Sequence, residues 1–201
     1  MAIRDLIERE FQAFDKLAGE TVQMWQSEIL TDLMLVITQL GSTLIYVCVL
    51  VLVVGFLLLT SRFWEALILF ISLLGSWLLN NLMKEMFARP RPALQHLVEA
   101  TGYSFPSGHA SISTAFYGMI GYLIWVSLKG QYRRAWHVPV LTCLVLVAIG
   151  ISRVYLGVHY ASDILAGYLA GGFWLGFCIW LYHLRKPYLR HKPYYPPTYY
   201  Q

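Results

Sequence analysis

Five stretches of this chain run uncharged for about the roughly 20 residues that cross the hydrocarbon core of a bilayer. With His counted as neutral they are residues 33–61, 66–83, 100–128, 135–152 and 164–184. Charged side chains make up 13% of the 201 residues, against about 25% in a soluble domain. The expected fold is therefore all-α: a polytopic membrane helical bundle of five to six spans, preceded by an amphipathic amino-terminal segment. The spans are expected at about 39–60, 64–84, 107–127, 137–154 and 162–183. Gly41 and Ser42 can break the first long run and leave 33–40 at the interface.

Residues 1–32 have a different character. Ile3, Leu6, Ile7, Phe11, Phe14 and Leu17 recur at helical spacing among charges. Two readings stay open: helices lying along the membrane surface, or a segment packed on the membrane domain. Glu28 and Asp32 argue against a span, since a central carboxylate costs roughly 2.5–3.5 kcal/mol on insertion scales. The chain thus divides into an interfacial segment 1–32, a membrane domain 33–185 and a basic, Tyr- and Pro-rich tail 186–201 that Pro193, Pro196 and Pro197 keep from continuing as a helix. The first 20 residues lack the apolar core of a cleavable signal. Cys48, Cys143 and Cys178 lie inside apolar runs and are expected to be buried free thiols.

The net charge of +4 is spread over loops rather than gathered on one solvated face, so nucleic acid is not an expected partner. The turn at Arg62, the loop with Lys129, Arg133 and Arg134, and the tail with Arg185, Lys186, Arg190 and Lys192 fall on one side. Outside the clusters described next, the other side holds only Arg4, Arg9 and Lys16. Lys and Arg concentrate on the cytoplasmic side, so the turn and tail should be cytoplasmic. The amino terminus and the functional residues should then face outward.

Three short clusters fall at span ends on that outward side: K-E-M-F-A-R-P-R-P at 84–92, P-S-G-H at 106–109 and S-R-V-Y-L-G-V-H-Y-A-S-D at 152–163. Taken singly, each residue has an ordinary reading. Lys84 and Arg153 could be end anchors whose stems lie along lipid, Ser107 a helix cap, and either His structural. All these readings would have to hold together on one face to account for the set. A phosphoryl group offers three negative oxygens. Lys84, Arg91 and Arg153 suit them as cations, and the amides of Ser107 and Gly108 as helix-start donors. His159 and Asp163 are four apart and share a face if helical. A carboxylate on one ring nitrogen leaves the other free to attack. His109 can protonate the leaving oxygen and later activate water. Two His and one Asp could ligate zinc, but the surrounding cations would repel it. No metal and no cofactor are expected.

The pattern K-x6-R-P, P-S-G-H and S-R-x5-H-x3-D resembles the three motifs of the type 2 phosphatidic acid phosphatase superfamily, over about residues 60–185. The resemblance implies an integral membrane lipid phosphatase acting without metal on a lipid phosphate monoester or an isoprenyl pyrophosphate. It implies His159 as the nucleophile forming a phosphohistidine, His109 as acid then base, and Asp163 supporting His159. Lys84, Arg91, Ser107, Gly108 and Arg153 would bind the phosphate, and the partners would be the lipid substrate and membrane lipids. The alternative is a lipid-phosphate binder or transporter using the same pocket without turnover. Relatives that oxidise halides are soluble, which disfavours that chemistry here. Arg89, which repeats the Arg-Pro pair, has two readings, a spare phosphate or headgroup contact or only a loop residue, with the second slightly favoured. Gly167 with Gly171, and Gly172 with Gly176, read as helix-packing glycines.

Overall fold

The computed structural model describes residues 3–93, 96–128 and 135–190, with side chains described for 11–22, 24–93, 96–128 and 135–184. It is built of α1 (Ile3–Gln23), α2 (Glu28–Gln39), α3 (Thr43–Leu59), α4 (Phe63–Phe87), α5 (Gly108–Leu128), α6 (His137–Tyr155) and α7 (Ala161–Arg190). Among the described residues, four helices are long and apolar enough to cross a membrane by themselves: α4, α5, α6 and the Ala161–Leu184 part of α7. The pair α2 and α3, bent by 49° at their break, makes a fifth. The 17 residues of α3 reach only about 25 Å, short of a core about 30 Å thick. The chain is a multi-pass membrane protein. The loop 129–134 and the tail 191–201 lie outside the described residues, as do the side chains of Arg4, Arg9, Arg185, Lys186 and Arg190.

The α2–α3 break falls at Leu40–Gly41–Ser42. The Ser42 hydroxyl accepts the amide proton of Ile45 at 3.4 Å and restarts the helix. On the opposite side of the bundle, Ser61 takes a left-handed conformation (φ 58°) in the turn between α3 and α4. There Arg62 donates to Ser127 near the end of α5. α3 and α5 therefore end on one side of the bundle, and α4 and α6 on the other. Every motif residue lands on that second side.

α5 is the central helix, packed by α4, α6 and α7. The outward faces stay apolar, with Leu52, Leu144, Leu169 and Phe173 each more than 60% exposed, as suits helices bathed in lipid. Polar groups turned inward satisfy themselves on backbone. Ser72 donates to the Ala115 carbonyl (2.8 Å) and Thr114 to that of Ala110 (2.7 Å). Cys178 is buried, but Cys48 and Cys143 are exposed on helix surfaces, contrary to expectation, since an apolar run cannot say which way a side chain points.

The two glycine pairs of α7 part company. A β-carbon on Gly171 would lie 2.2 Å from the Ser111 carbonyl oxygen, and one on Gly167 2.8 Å from that of Ser107. Gly172 and Gly176 have nothing within 4 Å of that position, so this second pair packs against nothing in the bundle. Gly171→Ala is expected to destabilise by roughly 1–3 kcal/mol. Gly172→Ala should be neutral or stabilising by up to about 1 kcal/mol through helix propensity. Unfolding curves in detergent check both.

α1 packs on α6 and α7. An apolar pocket between α1 and these helices is lined by Phe14, Ala18 and Val22 on one side and Val147, Ile151 and Ile164 on the other. Leu17, part of the expected apolar stripe, is 66% exposed.

Candidate active site

α4 ends where Ala88 turns left-handed (φ 44°) and four residues alternate Arg and Pro. This turn sends Arg89 and Arg91 back over the bundle. Arg91 is held by three carbonyls: Nε donates to Gly102 (3.1 Å), Nη2 to Thr101 (2.7 Å) and Nη1 to Val158 (2.8 Å). Its Nη1 then lies 3.4 Å from His159 Nε2. Lys84, one turn before the end of α4, is within charge–charge range of Arg91, Arg153 and Asp163.

Arg153 sits at the end of α6, only 7% exposed. Its Nη1 donates to Thr38 Oγ1 at 2.7 Å, and its Nε is buried with no hydrogen-bond partner. A buried guanidinium edge without a partner is costly unless an acceptor meets it.

Ser107 and Gly108 open α5. The Ser107 amide donates to the Asp163 carbonyl (3.1 Å), so it is not the free anion donor expected from sequence. That bond joins the start of α5 to the start of α7 and fixes the two helix ends together. The Ser107 hydroxyl accepts from the Ala110 amide at 3.5 Å, which leaves its own proton to donate. The Gly108 amide is among those at a helix start that lack an intrahelical acceptor. A β-carbon there would meet Asn80 Oδ1 at 3.1 Å. His109 lies within charge–charge range of Arg153, His159, Lys84 and Arg91. Its ring rests on Gly41 so closely that a β-carbon at 41 would fall 2.3 Å from Cδ2.

His159 is 4% exposed and stands in the connection between α6 and α7 rather than on a helix. The geometry behind the four-residue spacing is therefore a cap, not a shared helix face. Asp163, fully buried in the first turn of α7, returns its Oδ2 to the Tyr160 amide at 2.9 Å. The same oxygen faces His159 Nδ1 at 3.5 Å, an electrostatic contact too long for a well-formed hydrogen bond. Burial lowers the His159 pKa to about 4; Arg153 and Arg91 add to this and Asp163 opposes it. At neutral pH the ring is uncharged.

The structure thus gathers Lys84, Arg91, Ser107, Gly108, His109, Arg153, His159 and Asp163 at one end of the bundle. It also adds residues that the sequence reading missed. Arg89 is not a plain loop residue: its Nη1 donates to Asp163 Oδ1 at 2.6 Å and its Nη2 to Asp15 Oδ2 of α1 at 2.8 Å. Thr38 holds Arg153, and Gly41 seats His109. The repeated Arg-Pro pair was a usable signal for Arg89. For Asp15 the signal was a carboxylate set between Phe14 and Ala18 on an otherwise apolar helix face. Thr38 carried none.

The family model described as PAP2 superfamily matches residues 65–187. The phosphatidylglycerophosphatase B of Bacillus subtilis is 31% identical over 160 residues, covering 80% of this chain and 77% of that protein. The lipid A 1-phosphatase of Rhizobium etli is 33% identical over 54% of this chain, which spans 47% of that relative's length. Among solved structures, the transmembrane PAP2 type phosphatidylglycerolphosphate phosphatase from Bacillus subtilis superposes with a TM-score of 0.78 and 26% identity, covering 92% of this chain and 89% of its own.

Proposed function

This chain belongs to the PAP2 superfamily, and from that membership we propose that it is a lipid phosphatase working through a phosphohistidine on His159. The observation that carries the proposal is the placement of the His159 ring, with Nδ1 toward the buried Asp163 and Nε2 toward the Arg91 cation. An uncharged imidazole so oriented has a lone pair at Nε2, aimed where Lys84, Arg91 and Arg153 would hold phosphoryl oxygens.

In the first step Nε2 attacks phosphorus, the bond from phosphorus to the leaving oxygen breaks, and His109 gives that oxygen a proton. In the second, His109 takes a proton from water, the hydroxide oxygen attacks phosphorus, and the N–P bond breaks to release inorganic phosphate. Both steps balance without a metal or redox partner. The substrate we propose is a lipid phosphate monoester, such as phosphatidylglycerophosphate or phosphatidate, or an isoprenyl pyrophosphate. An apolar groove of about 350 Å³ between α3 and α4, lined by Val47, Leu50, Leu73, Leu74 and Trp77, supports an acyl or prenyl tail. The groove reaches Tyr46, whose hydroxyl touches the His109 carbonyl at 3.4 Å. The Lys and Arg bias of the opposite ends supports a pocket on the extracytoplasmic side.

The test is phosphate release by the detergent-solubilised protein in EDTA, compared across phosphatidylglycerophosphate, phosphatidate, undecaprenyl pyrophosphate and lipid A phosphate. Turnover is expected to persist in EDTA and to be inhibited by vanadate. Stoichiometric lipid binding without phosphate release would overturn the proposal.

A further inference from the structure

Asp15 lies on α1, far in sequence from every motif, yet its side chain is only 3% exposed and fully engaged. Its Oδ1 accepts from the Ser162 amide (2.8 Å), and its Oδ2 from the Ser162 hydroxyl (2.7 Å) and Arg89 Nη2 (2.8 Å). Arg89 reaches past it with Nη1 to Asp163 Oδ1 (2.6 Å) and Ser162 Oγ (2.8 Å). The guanidinium also lies over the Tyr160 ring, 4.1 Å from its centroid. One guanidinium therefore spans two buried carboxylates, and the second of these faces His159.

The charges of this chain of contacts matter as much as its geometry. When Nε2 takes a phosphoryl group while Nδ1 keeps its proton, the ring acquires positive charge. Arg153 and Arg91 stand close to that ring and oppose the gain. Asp163 would offset it, but Arg89 is bonded directly to Asp163, and a carboxylate–guanidinium pair alone has no net charge. Asp15 restores the balance: the chain Asp15–Arg89–Asp163 carries one net negative charge. Its rigidity fixes the Asp163 carboxyl plane, and Oδ2 is left for the Tyr160 amide and His159 Nδ1.

We propose that Asp15 and Arg89 are positioning residues for His159, so that the amino-terminal helix belongs to the catalytic geometry and supplies the charge that the phosphorylated imidazole needs. The inference rests on the phosphohistidine reading above. In function, α1 is then more than an interfacial anchor.

The test uses the solubilised protein with Asp15→Asn, Arg89→Gln, Arg89→Lys, the double variant Asp15→Asn/Arg89→Gln, and Glu20→Gln as a control on the exposed face of α1. Asp15→Asn keeps the shape and removes the charge. It is expected to lower kcat roughly 10- to 100-fold, the scale on which losing the hydrogen-bonded partner behind a metal-ligating side chain acts, with KM within about twofold. Glu20→Gln should match the wild type. The double variant, which restores the net charge around Asp163, should lose less than the product of the two single losses. Arg89→Lys keeps the charge but cannot span both carboxylates, and it should lower kcat even if Asp15→Asn fails to fold. A readout independent of turnover is 15N NMR of the imidazoles, with His159 assigned by its loss in His159→Ala. The Nδ1-protonated tautomer should dominate in the wild type and give way to a mixture in Asp15→Asn and Arg89→Lys. An unchanged His159 spectrum in the variants, or strict multiplicativity in the double variant, would overturn the inference. If the wild type releases no phosphate from any lipid, the functional reading falls, and the imidazole spectra still decide the role of Asp15.

Discussion

His159→Ala is expected to abolish phosphate release, with a loss of roughly 10⁴- to 10⁶-fold in kcat, the scale on which enzymes lose activity when a nucleophile is removed. The size follows from the step it prevents: among the described residues, His159 is the one imidazole of the site with a ring nitrogen turned toward a buried carboxylate. The protein should remain folded, because His159 sits in a connection between helices and its Nδ1 makes no well-formed hydrogen bond to lose. Two measurements check this. Steady-state release on the preferred lipid gives the rate. Rapid mixing with alkaline quench, which preserves N–P bonds, shows the phosphoenzyme in the wild type and none in the variant. The same trapping reports the protonation state. With its pKa held to about 4, the ring stays uncharged well below the usual imidazole range. Phosphoenzyme should therefore still form at pH 5, where an ordinary His near 6.5 would be mostly protonated and unable to attack. Its yield should fall as the pH drops through about 4.

Arg153→Ala is expected to cost roughly 10²- to 10³-fold in kcat, the range for removing one preorganised donor to a charge that develops in the transition state. Among the described residues Arg153 is the cation most withdrawn from solvent, with one Nη donor spent on Thr38 and its buried Nε left to meet an acceptor. Arg153→Lys should recover only part of the loss, because a single ammonium cannot hold Thr38 and also offer two parallel donors to a phosphoryl group. Vanadate inhibition constants should rise in step with the loss of kcat/KM. Unchanged vanadate affinity in Arg153→Ala would place the guanidinium outside the anion pocket.

Much of the membrane architecture was readable because lipid imposes a simple rule on length and charge. Runs near 20 uncharged residues became helices, and Gly41–Ser42 became a break. Features that depend on facing were not readable. The spacing of Gly167 and Gly171 is the same as that of Gly172 and Gly176, yet only the first pair turns toward α5. Cys48 and Cys143 sit in apolar runs but point outward. At the site, the three motifs named the groups that converge, since their chemistry is unusual at the end of a span. The partners of those groups stayed hidden. Asp15 and Arg89 are 74 residues apart, and no local pattern on α1 says which cation its carboxylate will meet. The Ser107 amide shows a related limit. A helix start suggests a free donor, but the neighbouring helix had already supplied an acceptor in the Asp163 carbonyl.

The kink between α2 and α3 grips the site at two points three residues apart, with the Thr38 hydroxyl on a guanidinium and Gly41 close against an imidazole. Leu40 between them is tethered in turn, its carbonyl accepting from the Tyr117 hydroxyl at 2.6 Å. The cation proposed to bind phosphate and the ring proposed to hand over the proton are thus mounted on a common bracket. Neither can be retuned alone from this side: a substitution that tilts the bracket resets anion affinity and proton delivery together.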